Sequence, residues 1–173
     1  VGSQADAVRL LAALRRRGGV TILERSKDTI HFRFEGVDVS LFVLPRVSRF
    51  VEDHRLSITG ILSTKLHAIL DRGTRRDFFD LYVVLHDQRL SIADALTALR
   101  AVYGEVDDGL MLRALAFFDD AEREAKLPGE GPRDWSLVKR FFQEQVGRLL
   151  IPPTRELTIA TRQVGVKRPR GRR

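Results

Sequence analysis

Cysteine is absent from the 173-residue chain, and so are long apolar runs. Without a thiol the protein forms neither disulfide bonds nor thiolate metal sites. A transmembrane helix needs a run of about 18 or more apolar residues, and no such run is present. The N-terminus also lacks the basic and apolar pattern of a secretory signal. We therefore expect a cytoplasmic protein with no membrane association.

Basic residues are unevenly distributed along the chain. The net charge is +7, and residues 152–173 hold seven basic residues against one acid. The rest of the chain is close to neutral. A basic surface that could attract nucleic acid is therefore expected from this segment alone. Its Arg, Pro and Gly content predicts a disordered basic tail. Such a tail either contacts RNA or an acidic partner through charge or has no role, and the sequence leaves both open.

The first part of the chain predicts a helix and a small antiparallel sheet. Residues 5–17 have apolar side chains at helical spacing. Strand-like alternation follows at 20–24, 29–34 and 37–44, and Glu35-Gly36 predicts a tight turn between the last two strands. Pro45 is expected to end this β section.

The second part of the chain is helical in pattern. Apolar periodicity continues with few breaks from about residue 57. Ser91, with an acid three residues later, predicts a capping box. A small sheet followed by a helical bundle is an α+β arrangement. The predicted helices span residues 58–71, 75–87, 91–103, 109–125 and 134–150.

Ionic residues flank the Gly turn between the first two of these helices. Lys65 and Arg72 lie one heptad apart, and Asp77 and Asp80 follow three residues apart, so each pair shares a helix face. A helical hairpin would bring all four to one pocket edge. One interpretation is a salt-bridge cluster that joins the helices. The other is a phosphate site, with Lys as a point charge, Arg as a bidentate donor and Asp as an orienting group.

The run from Lys65 to Leu81 has the pattern Lys-x-x-Ala-x-x-x-Arg-x-x-x-Arg-Asp-x-x-Asp-Leu. It resembles the Lys/Arg/Asp block of the AbiEii/AbiGii-type nucleotidyltransferase toxins, which belong to the polymerase-β-like nucleotidyltransferase superfamily. Residues 112–122 and 135–142 resemble the C-terminal helices of the same family. Together these matches cover about residues 20–150 in the family order of strands and then helices.

The resemblance implies transfer of a nucleotidyl group from an NTP to an RNA such as tRNA, or to a protein hydroxyl. It also implies Mg²⁺ as cofactor, a cognate antitoxin as partner, and a role in a toxin–antitoxin or phage-defence pair. Lys65, Asp77 and Asp80 become the predicted catalytic residues. The predicted NTP contacts are made by Lys65, Arg72 and Arg76.

Asp38 lies on the otherwise apolar third strand. One interpretation is the third metal-binding carboxylate that such folds place on a neighbouring strand. The other is a solvated acid close to a Gly turn, which is a common location for one. The sequence leaves both interpretations open.

One family element is missing. The catalytic loop of the family is a Gly-Gly or Gly-Ser turn followed by Asp-x-Asp on a strand, which holds the metal ions, and the chain contains no Asp-x-Asp. We therefore expect an N-terminally truncated toxin that is inactive alone. In this interpretation residues 1–56 are a partial nucleotidyltransferase α/β portion, residues 57–151 a helical domain, and residues 152–173 the tail.

Two other functions are compatible with the sequence. One is a non-catalytic RNA- or protein-binding domain that uses the helical surface and the basic tail. The other is a structural helical domain in which the Lys/Asp set only joins helices. The acids at 119, 120 and 122 are expected to be solvated or ion-paired. The expected core aromatics of the last helices are Phe117, Phe118, Trp135, Phe141 and Phe142.

Overall fold

The computed structural model describes residues 1–151, so the predicted tail lies outside the described residues. The described part is α+β, as predicted, with a three-stranded antiparallel sheet followed by a helical bundle. None of its helices is both long and apolar enough to cross a membrane. The elements are α1 (Gln4–Arg15), β1 (Val20–Arg25), β2 (Thr29–Phe34), β3 (Val37–Phe42), α2 (Pro45–Ser48), β4 (Val51–Glu52), β5 (Arg55–Leu56), α3 (Ile58–Asp71), α4 (Arg75–Asp87), α5 (Ile92–Tyr103), α6 (Asp108–Ala116), α7 (Asp119–Arg123) and α8 (Asp134–Leu150).

The sheet has the strand order β1-β2-β3. β2 and β3 form the predicted hairpin, in which Phe34 pairs with Val37. Glu35 and Gly36 have φ values of 49° and 80°, and two positive φ angles in a two-residue loop are typical of a type I′ turn. One face of the sheet carries Ile30 and packs against α1, forming a core separate from that of the bundle.

The three-stranded sheet ends before Pro45, as predicted, and a separate two-stranded sheet follows. Pro45 is the first residue of the short helix α2. A backbone N–H at this position would have no acceptor within the helix, so proline is tolerated there. The two-residue strands β4 and β5 then pair antiparallel and lead into α3. Strands this short carry no alternation for a sequence pattern to reveal, which is why the hairpin is absent from the prediction.

The helices of the bundle begin at capping residues. Ser57, Thr74 and Ser91 each accept a hydrogen bond from a backbone N–H three residues later, at the starts of α3, α4 and α5. The capping box at Ser91 is confirmed, because the Asp94 carboxylate also accepts from the Ser91 N–H. The bounds predicted for α3, α4 and α8 are confirmed to the residue.

The predicted helix over residues 109–125 is wrong, since the structure has two helices there. α6 ends at Ala116, and its C-cap residue Phe117 has extended backbone angles (φ −100°, ψ 113°). The break directs Phe118 and Ala121 into the core, where both are buried. Phe117 itself is 52% exposed, so its assignment to the core is also wrong.

The bundle core is centred on Phe78 of α4. Its ring is fully buried, with centroids 5.1 Å from Phe118, 5.3 Å from Phe142 and 6.0 Å from Trp135. Edge and tilted ring arrangements of this kind add to the apolar area that is buried. Phe78 therefore contributes to the packing of α4 against both α8 and the residue that precedes α7.

An ion pair is buried beside this core. Arg75 donates to Glu130 through Nε at 2.9 Å and Nη2 at 2.5 Å, and its guanidinium carbon lies 4.5 Å from the Trp135 ring centroid. The hydrogen bonds from Arg75 hold the pKa of Glu130 below its usual range. Glu124 accepts from the Arg75 backbone N–H. These contacts attach the connection between α7 and α8 to the first turn of α4.

Two arginines connect the sheet region to the bundle. Arg46 of α2 donates to the backbone carbonyl of Tyr103 at 3.4 Å. Arg49, which ends α2, donates to the carbonyl of Ala101 at 2.5 Å. Both carbonyls belong to the last turn of α5, where backbone acceptors have no helical donor and where cations are favoured.

Phe78→Ala should destabilise the protein by about 3–5 kcal/mol, because it removes a fully buried ring and leaves a cavity. Phe117→Ala is the matched control, since it deletes an exposed ring from the connection between α6 and α7 and should cost about 0.5 kcal/mol or less. Urea unfolding followed by far-ultraviolet circular dichroism measures both. Equal losses from the two variants would contradict this description of the core.

Candidate functional site

The turn between α3 and α4 brings the predicted ionic residues together. α3 ends at Asp71, and Gly73 has a φ of 55°, a backbone conformation that favours glycine. Thr74 then caps α4 by accepting from the Asp77 N–H. Because α3 and α4 form a hairpin around this turn, residues 12 and 15 apart in sequence approach each other.

Asp77 is at the centre of the cluster. Its side chain is 1% exposed. Arg72 binds it with two parallel hydrogen bonds, from Nε at 2.8 Å and from Nη2 at 3.0 Å. The Thr74 hydroxyl donates to the same carboxylate at 2.5 Å, and the Lys65 ammonium lies 4.0 Å away. Both oxygens of this buried carboxylate are therefore satisfied within the protein.

Asp80 holds the other side of Lys65. The Lys65 Nζ donates to Asp80 Oδ2 at 2.5 Å. Arg76 lies one helical turn before Asp80, with Nε 3.9 Å from the same oxygen. The Arg76 side chain is 78% exposed, so this contact lies at the surface and is weak.

The charges of the cluster stabilise one another. Burial acts to raise the pKa of Asp77, but the hydrogen bonds from Arg72 and Thr74 and the charges of Arg72 and Lys65 outweigh it. The pKa of Asp77 is therefore below its usual value. The hydrogen bonds to Asp77 likewise raise the pKa of Arg72. Both groups are charged at neutral pH.

Three of these residues line a cleft between α3 and the sheet region. The cleft has a volume of about 490 Å³, within the range of about 300–1,000 Å³ that is typical of small-molecule sites. Lys65, Arg72 and Asp77 line it, whereas Asp80 and Arg76 are not part of its lining. The other lining residues are Thr29, Phe42, Leu44, Leu56, Thr64, His67, Ala68, Asp71 and Tyr103.

Asp38 is not brought into this cluster. It binds Arg33 across the hairpin with hydrogen bonds of 2.7 and 3.1 Å, and those bonds lower its pKa. Its side chain is exposed and is not part of the cleft lining. Within residues 1–151, no group of three or more acidic, His or Cys side chains is placed to hold a metal ion. The metal-binding role of Asp38 stays a prediction.

Sequence analysis missed several residues of the site. Phe42 lies on the strand face opposite Val39 and Leu41. An aromatic residue at a position where the alternation predicts a polar one is a signal that could have identified it. Thr74, three residues before Asp77, matches the pattern of a helix cap. No local pattern marks Tyr103, because it joins the cleft only through the packing of α5 on α3.

The acidic cluster on α7 has the character that the sequence predicted. Asp120 pairs with Arg123 at 3.1 Å, and Glu122 pairs with Lys139 of α8. Both acids are exposed. The cluster therefore joins elements at the surface.

Comparison with known proteins finds one matching family and one similar protein. The family described as nucleotidyl transferase AbiEii toxin, type IV toxin–antitoxin system, matches residues 45–154. The chain is also 27% identical over 135 residues to an uncharacterized protein of Aquifex aeolicus (strain VF5). That alignment covers 74% of this chain and 65% of the relative, so the chain spans about 65% of the relative's length.

No solved structure matches the chain. The family match alone covers well over half of the sequence, and it includes α3, α4 and every residue of the Lys65–Asp80 cluster. The chain belongs to the AbiEii family of nucleotidyl transferase toxins from type IV toxin–antitoxin systems.

Proposed function

We propose that the cleft binds the triphosphate of an NTP, and that the chain is part of a toxin that transfers nucleotides to an RNA acceptor such as tRNA or to a protein acceptor. Residues 1–56 supply the sheet side of the cleft and residues 57–151 the helical side. The observation that carries the proposal is the pair of cations, Lys65 and Arg72, that one buried carboxylate holds at the wall of a cleft of nucleotide size.

Both cations keep donors for a ligand. A guanidinium has five N–H groups, and the bidentate contact with Asp77 uses two of them. The Arg72 side chain is 55% exposed and is part of the cleft lining, so its other donors are accessible to a ligand. Lys65 has three donors and gives one to Asp80 at hydrogen-bond distance. Phosphate oxygens are suitable acceptors for both side chains.

The two aspartates have different roles in this proposal. Asp77 is buried and its oxygens are occupied, so it is a positioning residue that fixes Arg72 and the Lys65 ammonium. Asp80 is 37% exposed and holds Lys65 from the other side. Lys65 is the predicted catalytic residue that touches the nucleotide. Arg76 stays a predicted contact for a part of the NTP that extends out of the cleft.

Magnesium enters the proposal only as an expected cofactor of the family reaction. The described carboxylates do not assemble a ligand set, because Asp38 is engaged with Arg33 and Asp77 with Arg72. No step is therefore assigned to the ion. Because the chain contains no Asp-x-Asp, we propose that it does not transfer nucleotides alone, and nucleotide binding is the direct test.

The partner follows from the family. A type IV toxin implies an antitoxin, and we propose that a cognate antitoxin neutralises this toxin in the cytoplasm as part of a phage-defence system. The alternative is a non-catalytic RNA- or protein-binding domain. The two functions differ in whether a free NTP is a ligand of the cleft.

Lys65→Ala and Arg72→Ala should each weaken binding of Mg²⁺-ATP by about 10- to 100-fold, because each removes charge-assisted hydrogen bonds to phosphate. Isothermal titration calorimetry on the full chain measures the dissociation constants. Arg140→Ala is the matched control, since it removes an exposed cation from α8, and it should leave the affinity unchanged.

Wild-type protein that binds no ATP would contradict the proposed function and favour the non-catalytic binding domain. Equal affinity in wild type, Lys65→Ala and Arg72→Ala would show that the nucleotide binds elsewhere. A loss in Arg140→Ala as large as in the other variants would show that only general charge attraction is being measured.

Asp77→Asn should change how stability depends on pH. The folded pKa of Asp77 is lowered, so its ionised form stabilises the fold above its unfolded pKa of about 3.9. That contribution is lost as the pH falls through the folded value. The difference in unfolding free energy between wild type and Asp77→Asn, measured in urea, should be large at pH 7 and shrink below about pH 4. A difference that is constant from pH 7 to pH 2.5 would show that Asp77 acts only through packing.

A further inference from the structure

The cleft has a second wall that the proposed phosphate contacts do not use. It is apolar, and three separate parts of the chain form it: the end of β3, the strand β5 and the end of α5. The ionic residues of the same cleft come from α3, α4 and the turn between them. A ligand that fills the cleft therefore meets both charged and apolar side chains. The residues of the apolar wall are Phe42, Leu44, Leu56 and Tyr103.

Phe42 is the unusual member of this wall. It lies on the face of the sheet that also carries Asp38 and Ser40, opposite the face that packs against α1. Phe42 is 45% exposed, and its ring lies in an edge arrangement with that of His31, with centroids 6.4 Å apart. Part of the Phe42 side chain is therefore accessible to a ligand in the cleft.

Tyr103 supplies a second flat surface. Its ring packs on His67 of α3 with centroids 4.8 Å apart and an angle of 31° between the planes. Burial raises the pKa of the Tyr103 phenol, so the hydroxyl stays neutral near pH 7. His67 is two residues from Lys65, and both line the same cleft. The aromatic surface is therefore adjacent to the cations.

We infer that the apolar wall is the subsite for the nucleobase of the bound NTP, which stacks on Phe42 and Tyr103 while Lys65 and Arg72 hold its phosphates. The position of the phosphates rests on the proposed function. Stacking uses the ring face that every base has, so all four NTPs bind. The larger ring of a purine makes ATP and GTP the tighter ligands.

The test uses three probes on the full chain: Mg²⁺-ATP, adenosine, and inorganic tripolyphosphate with Mg²⁺. Base–aromatic stacking changes affinity by about 5- to 150-fold on alanine substitution. Phe42→Ala and Tyr103→Leu should weaken ATP and adenosine within that range and change tripolyphosphate less than about twofold. Lys65→Ala should weaken ATP and tripolyphosphate and spare adenosine. Circular dichroism verifies the fold of each variant.

Val37→Ala is the matched control. Val37 is an exposed apolar residue on the same strand as Phe42 and is not part of the cleft lining, so its removal should leave all three affinities unchanged. Unchanged ATP affinity in both aromatic variants overturns the inference. The apolar wall would then be available to a base of the RNA acceptor instead of the base of the NTP. Equal losses for ATP and tripolyphosphate in those variants overturn it too, because the effect would then be on the phosphate side.

The two proposals fail in different ways. If binding of ATP and tripolyphosphate depends on Lys65 but not on the aromatic residues, the base subsite is contradicted and the proposed function is supported. If adenosine binds in a way that depends on Phe42 and tripolyphosphate does not bind, the phosphate site is contradicted and the aromatic subsite is supported. Absence of binding for all three probes overturns both.

Discussion

The constraint on which the site depends is the desolvated charge of Asp77. A carboxylate removed from water is tolerated only when donors and opposite charges surround it. Here those donors come from the turn and from α3, so satisfying one side chain fixes how α3 and α4 meet. The same contacts hold Arg72 and Lys65 at the cleft. Structural and functional explanations of the cluster are therefore compatible, because the ion pairs that join the helices also position the cations.

The prediction of the helices from sequence succeeded where the ends are determined locally. α3 and α4 were predicted to the residue because a Ser or Thr cap precedes each one and the Gly turn separates them. The division between α6 and α7 could not be predicted, because no Gly or Pro marks it. That break follows from the burial of Phe118 against Phe78, which is a tertiary contact with no local pattern.

Only the ionic half of the candidate site was predicted. Lys65, Arg72, Asp77 and Asp80 lie within 16 residues of one another, and helical geometry alone is enough to bring them together. The apolar half combines residues from β3, β5 and α5, and only the fold places these beside α3. The catalytic and NTP-binding roles of the cluster stay predictions, and so does the metal-binding role of Asp38. Each of these roles is defined by contacts with a ligand.

The attachment of Arg46 and Arg49 to the end of α5 has a consequence for how the family can vary. Their acceptors are backbone carbonyls, so exchanging side chains along α5 leaves the attachment intact. The number of residues in α5 is a different matter. One inserted residue rotates everything after it by about 100° and advances it by about 1.5 Å, which would turn both these carbonyls and the Tyr103 ring away from their present positions. The length of α5 therefore fixes where the Tyr103 ring meets the cleft, and relatives should tolerate point changes in this helix far better than insertions or deletions.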